Sequence, residues 1–69
     1  MINRYTIYRT VSLETFLEPN SQHWFYRFPF EWVWYRSNQG WGNYSDAREA
    51  GENHIDTILE NRGLRAALS

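Results

Sequence analysis

From Tyr5 to Leu17 the chain alternates. Odd positions read Tyr5, Ile7, Arg9, Val11, Leu13, Thr15 and Leu17, and even positions read Thr6, Tyr8, Thr10, Ser12, Glu14 and Phe16. A period of two with β-branched side chains predicts a strand with one buried face, over about residues 4–17. Arg9 and Thr10 interrupt the pattern, so the strand either bulges there or divides in two. A short helical turn at Ser12–Leu17, capped by Ser12, is the competing local reading. Glu18 to Gln22 is turn chemistry, because Pro19 fixes φ and Asn20 and Ser21 favour turns.

A second alternating stretch covers about residues 23–36. Its even row is Trp24, Tyr26, Phe28, Phe30, Trp32 and Trp34, and its odd row is Phe25, Arg27, Pro29, Glu31, Val33 and Tyr35. The almost wholly aromatic even row is the expected core. Pro29 has no amide to give to a ladder, so an edge, bulge or bend is expected at Phe28–Phe30. A bulge there would exchange the inward and outward rows after it. Ser37 to Gly40 reads as a further turn, with Gly40 free to take positive φ. A short third strand follows over about residues 41–44.

The period then changes. Ala47, Ala50, Gly51, His54, Ile55, Ile58 and Leu59 form one apolar stripe at helical spacing. Ser45 is placed to cap the first turn, where Asp46 and Glu49 suit the positive end of the helix dipole. Gly63 followed by Leu64 reads as a stop. The expected helix covers about residues 45–62, with a tail at 63–69. The fold class is thus α+β: a three-stranded antiparallel sheet, β-β-β-α, with one C-terminal helix packed on one face and a single domain over 1–69.

Composition sharpens this picture. A chain of 69 residues buries only ~60% of its unfolded surface. With no Cys, disulfides cannot compensate. Four Trp, five Tyr and four Phe supply the apolar area instead. Absent cysteines, no apolar leader at the amino terminus and no run long enough to span a bilayer predict a cytoplasmic protein. The net charge is −1. All basic residues are Arg, whose flat fork stacks on aromatics and pairs bidentately with carboxylate or phosphate. Residues 1–36 carry four Arg against three Glu, and residues 37–69 carry three Arg against five acids.

The stretch Gly42-Asn43-Tyr44-Ser45-Asp46-Ala47-Arg48-Glu49-Ala50 resembles a known strand-to-helix junction. It is that of the three-strand-plus-helix module in the plant ethylene-response-factor DNA-binding domain. The arm-binding domain of phage integrases is similar in architecture, and short phage and prophage proteins look like this too. The shared pattern is Gly, an aromatic two residues on, and Glu-Ala five residues after the aromatic. The resemblance implies the fold. In the DNA-binding families the sheet turns Arg and Trp to the major groove, which here would fall to Arg27, Trp32, Trp34 and Arg36. The sequence departs from those families in having no Lys, no dense basic run and a negative net charge.

Residues that would carry catalysis are missing from the pattern. His23 and His54 stand apart from any second ligand at metal spacing, no glycine-rich phosphate loop exists, and no Ser sits in a nucleophile elbow. His54 falls on the apolar stripe, where a packed, hydrogen-bonded histidine is expected. The expectation is a non-enzyme with no cofactor and no metal. A sheet covered by one helix leaves a face open, and the odd aromatic row with nearby Arg suits an interface centre. The expected partner-binding residues are Tyr8, Phe25, Arg27, Tyr35 and Arg36. Glu49, Glu52, Asp56 and Glu60 align on the helix as an acidic docking face. The functional expectation is a protein-binding module, of a kind that would suit a phage- or prophage-encoded inhibitor of a host or defence protein. DNA or RNA binding by the same Arg and aromatic residues is the alternative, and a homodimer is the third.

Overall fold

A computed structural model describes residues 2–68, with side chains through residue 63. In chain order it contains β1 (Asn3–Tyr8), β2 (Val11–Glu18), β3 (His23–Phe30), β4 (Val33–Arg36) and α1 (Tyr44–Leu68). The strands form an antiparallel meander in the order β1-β2-β3-β4, and α1 lies over β2 and β3. The α+β class and the C-terminal helix on an antiparallel sheet agree with the sequence reading. The strand number is four, not three.

Two tight turns account for the difference. Arg9 and Thr10 have φ of 50° and 67°, and Glu31 and Trp32 have φ of 50° and 70°. Two successive residues in the left-handed region make a type I′ turn, whose twist matches that of a β-ribbon. The strand expected over 4–17 folds back at Arg9–Thr10, which realises the break into two. The strand expected over 23–36 folds back at Glu31–Trp32. Ser12–Leu17 lies within β2 and forms no helical turn. Type I′ turns favour Asn and Gly, which enter this region at little cost. None of these four residues is either one, so the turns have no local sequence signature.

The third strand expected at 41–44 reduces to a single bridge. Trp24 and Trp41 exchange both backbone bonds, at 2.7 and 2.8 Å. Ser37 continues the β4 register by donating its amide to Tyr26, and Asn38–Gly40 then bulge away from the sheet. No glycine takes positive φ, so Gly40 serves another purpose. A Cβ there would sit 2.6 Å from His23 Cβ, and glycine permits that close passage.

The helix starts at Tyr44, and Asn43 caps it rather than Ser45. Asn43 Oδ1 accepts the Asp46 amide at 2.8 Å, while Asn43 Nδ2 donates to the Asp46 carboxylate at 3.0 Å. Gly63 does not stop the helix, which continues to Leu68. Leu, Arg and Ala are strong helix formers, and the run at 64–68 outweighs the ~1 kcal/mol that an interior glycine costs. The tail expected at 63–69 is therefore helical through Leu68, and Ser69 lies outside the described residues.

The apolar stripe lands where its spacing indicates. Ala47, Gly51 and Ile55 are buried, and Ala50, His54, Ile58 and Leu59 are half-buried. Val11, Leu13, Tyr26, Phe28 and Ile55 form the core. A Cβ on Gly51 would lie 2.8 Å from Leu13 Cδ1, so the small residues do bring α1 down onto β2.

Candidate binding face

In every strand pair an odd residue stands opposite an even one: Tyr8 faces Val11, Thr15 faces Tyr26, and Phe28 faces Tyr35. The parity that faces the helix therefore changes at each turn. The helix side receives Thr6 and Tyr8 from β1, Val11, Leu13 and Thr15 from β2, Tyr26 and Phe28 from β3, and Tyr35 from β4. The other side, which α1 leaves open, receives Tyr5, Ile7, Glu14, Phe16, Phe25, Arg27, Trp34 and Arg36.

This corrects the expected rows. The even row is helix-facing only through Phe30. Trp32 sits at the turn, fully exposed, and Trp34 is 67% exposed on the open face. Pro29 does not cause the exchange. It remains in β3 opposite Trp34, and the β2–β3 pairing ends at Glu14–Arg27, before a Pro29 amide would be needed. The two-residue turn makes the switch. Of the residues expected at a partner surface, Phe25, Arg27 and Arg36 are brought together on the open face. Tyr8 and Tyr35 instead turn to the helix side, where both pack against the core.

Glu14 organises the open face. It is 5% exposed although it points away from α1, because its neighbours close around it. Its Oε2 accepts from Asn3 Nδ2 at 2.6 Å and from the Tyr5 hydroxyl at 2.9 Å, and its Oε1 accepts from Arg27 Nε. These bonds, Arg27 foremost, hold the Glu14 carboxyl below its ordinary pKa against the opposing effect of burial. Three strands are thereby joined through one carboxylate.

Around this cluster the guanidinium groups lie on aromatic rings. Phe16 and Phe25 stack with centroids 6.0 Å apart. Arg36 stands 5.7 Å from Phe16 and 5.8 Å from Phe25, and Arg27 stands 5.4 Å from Phe16 and 5.9 Å from Trp34. Such placement lets a cation keep water on one side and a π-face on the other. A groove of about 270 Å³ runs between Asn3, Phe16, Glu18, Pro19, Arg27 and Arg36. Arg36 lies 4.0 Å from Glu18, so each arginine of the face has a carboxylate beside it and the face carries little net charge.

The helix side has its own polar network. The Tyr8 hydroxyl donates to Asp56 at 2.9 Å, and Arg9 Nη1 donates at 2.8 Å, which fastens the first turn to α1. These bonds lower the Asp56 carboxyl pKa and raise that of the Tyr8 hydroxyl. Of the acidic row, Asp56 is thus engaged internally, while Glu49 and Glu60 are exposed and Glu52 is half-buried. His54 Nδ1 is 2.8 Å from the Tyr26 hydroxyl, with the Tyr26, Phe28 and Tyr35 rings edge-on to it. Burial lowers its pKa, so it is neutral near pH 7. This is the packed, hydrogen-bonded histidine that its place on the stripe suggests. Among the described residues, no three His, Asp or Glu side chains gather as a metal site, and no helix is long and apolar enough to cross a membrane.

Sequence reasoning missed Tyr5, Ile7 and Glu14 as members of this face, and placed Trp34 in the core row except where the resemblance to DNA-binding domains implied an outward Trp34. The odd row Tyr5-Ile7 is visible in the alternation, but its direction depends on the turn at Arg9–Thr10. Comparison with protein-family models, curated proteins and solved structures finds no match to this chain.

Proposed function

We propose that the protein is a non-enzymatic protein-binding module whose contact surface is the open face of the sheet. The observation that carries this reading is the exposure there of Tyr5, Ile7 and Trp34, at 67, 70 and 67%, around arginines laid on phenylalanine rings. Aromatic and Arg side chains are enriched at interface centres, and few monomers leave so many apolar groups together in water. The paired carboxylates Glu14 and Glu18 favour a protein partner over a phosphate backbone, whose affinity depends on unneutralised cations. Phe25, Arg27 and Arg36 remain the expected contacts, joined by Trp34 and Tyr5.

The test replaces Trp34 and Arg36 together with Ala. Neither side chain packs in the core, so the circular dichroism spectrum and melting curve should be retained. Proteins captured from a lysate by the immobilised wild type should be lost. Retained capture by a folded double variant overturns the assignment. DNA or RNA binding by the same face is the alternative reading. It requires oligonucleotide binding that falls steeply with salt and disappears in the same variant.

A further inference from the structure

Among the described residues no strand pairs with the outer edge of β1, and its backbone groups can be assigned. The Leu17 amide donates to the Ile2 carbonyl at 3.0 Å, in register with the β1–β2 ladder. In an antiparallel pair, hydrogen-bonded and non-bonded positions alternate. Ile2, Arg4, Thr6 and Tyr8 therefore direct their backbone groups at β2. Asn3, Tyr5 and Ile7 direct theirs outward, past the edge of the sheet. The same alternation is met on the far side, where Trp24 opposite Leu17 bonds Trp41 instead.

Natural sheets shield such edges with Pro, charged side chains, bulges or covering elements. β1 has no Pro, Lys or bulge, its one charged residue is Arg4, and α1 lies over β2 and β3. The opposite edge differs: β4 is only four residues long, and the chain after it folds back along β3 at Ser37 and Trp41.

We propose that β1 is a strand-addition site whose occupant is the β1 of a second copy, paired antiparallel about a twofold axis at Tyr5. The outward groups are self-complementary about that residue. Tyr5 would meet the second Tyr5, and Asn3 would meet Ile7 in both directions, exchanging six backbone bonds. The other positions fit as well. Ile2, 53% exposed, would lie opposite Tyr8, and Arg4 opposite Thr6. Arg4 is the only charge on the strand, and its guanidinium rests 4.6 Å from the Tyr44 ring, drawn toward the helix and off the edge. Cross-strand apolar and aromatic pairs stabilise such a junction, and no like charges are set directly opposite. A twofold normal to the sheet keeps both helices on one side and joins the two open faces into one. Tyr5 and Ile7 belong to both readings, but this contact uses the backbone edge of β1 and not Trp34 or Arg36, so the two fail separately.

A strand pairing of this length is smaller than a standard interface of about 1,600 Å², so the dimer dissociates on dilution. The experiment is sedimentation velocity over a broad concentration series, with hydrogen exchange at its two ends. The wild type is expected to move from monomer to dimer, and the Tyr5 and Ile7 amides are expected to slow at high concentration. Ile7→Pro removes an amide that bonds nothing within the chain, so it should remain folded and stay monomeric throughout. Ile7→Lys, which puts a charge at the edge, is the second variant should proline perturb β1. A wild type that is monomeric at every concentration overturns the proposal. So does a dimer retained in both folded variants, or concentration-dependent protection that appears at Trp34 and Arg36 and not at Tyr5 and Ile7.

Discussion

Each side of the sheet contains one carboxylate that collects a tyrosine hydroxyl and an arginine from the strands. On the open side it is Glu14, with Tyr5, Arg27 and Asn3. On the helix side it is Asp56, with Tyr8 and Arg9. The chemistry is the same and the surroundings are reversed. Asp56 lies at the rim of an apolar core and keeps 31% of its side chain in water, whereas Glu14 keeps 6% on a face with no apolar layer over it. The helix side is thus held by packing, and its carboxylate fastens a turn at the margin. The open side has no helix to pack against, and its carboxylate is the centre around which the exposed side chains are ordered. For the binding role proposed here, a surface built this way is set in place beforehand, which lowers the entropy lost on association.

The first way to sharpen this contrast is to empty the packed side. Leu13 is fully buried against Gly51 and Tyr26. Leu13→Ala is expected to lower the unfolding free energy in urea by about 3–5 kcal/mol, a large part of a small domain's stability. The binding proposed for the open face should fall only in proportion to the unfolded fraction.

Glu14→Gln comes next. It keeps the shape and removes the charge that Arg27 and Tyr5 hydrogen-bond, so a loss of about 1–2 kcal/mol near pH 7 is expected. Its pH dependence identifies the cause. The folded-state pKa of Glu14 lies below the unfolded value, so its contribution is complete above about pH 4.3 and is lost as pH falls through the folded value. His54 acts earlier. Its folded pKa is lowered, the unfolded chain binds the proton more readily, and stability begins to fall below about pH 6.5. Urea midpoints against pH should show both limbs in the wild type, and in Glu14→Gln an unchanged His54 limb with a weakened lower one. Equal slopes below pH 4 in the two proteins would contradict the role given to Glu14.

Asp56→Asn should have the smallest effect. The pair it breaks with Arg9 is solvent-exposed and open to screening, so the difference from wild type is expected to shrink as salt is added. If Asp56→Asn were more damaging than Glu14→Gln, the ordering of the two faces would be reversed.

Much of the architecture was legible because periodicity reports local geometry. The helix stripe, the cap region, the alternation in both strand segments and the fate of His54 all follow from spacing along a single element. The face of each aromatic was not legible, because it depends on where the chain reverses. Arg9–Thr10 and Glu31–Trp32 reverse it without Gly or Asn, in conformations that β-branched and bulky residues seldom adopt. One unsignalled two-residue turn moved Trp34 to the open face and Tyr35 to the core side, and the other did the same for Tyr5 and Tyr8. The burial of Glu14 was hidden for a related reason, since its three donors come from strands whose register no single stretch encodes.

The meander order also bears on how the chain finds its fold. Each strand pairs with its immediate successor, so every ladder closes a short loop and little chain entropy opposes it. The contacts of Tyr8 and Arg9 with Asp56 span 48 and 47 positions, far more than any strand pairing. Sheet formation is therefore a succession of local events, and seating the helix over the first turn is the one step that joins the two ends of the sequence. Local pairing of this kind favours fast folding.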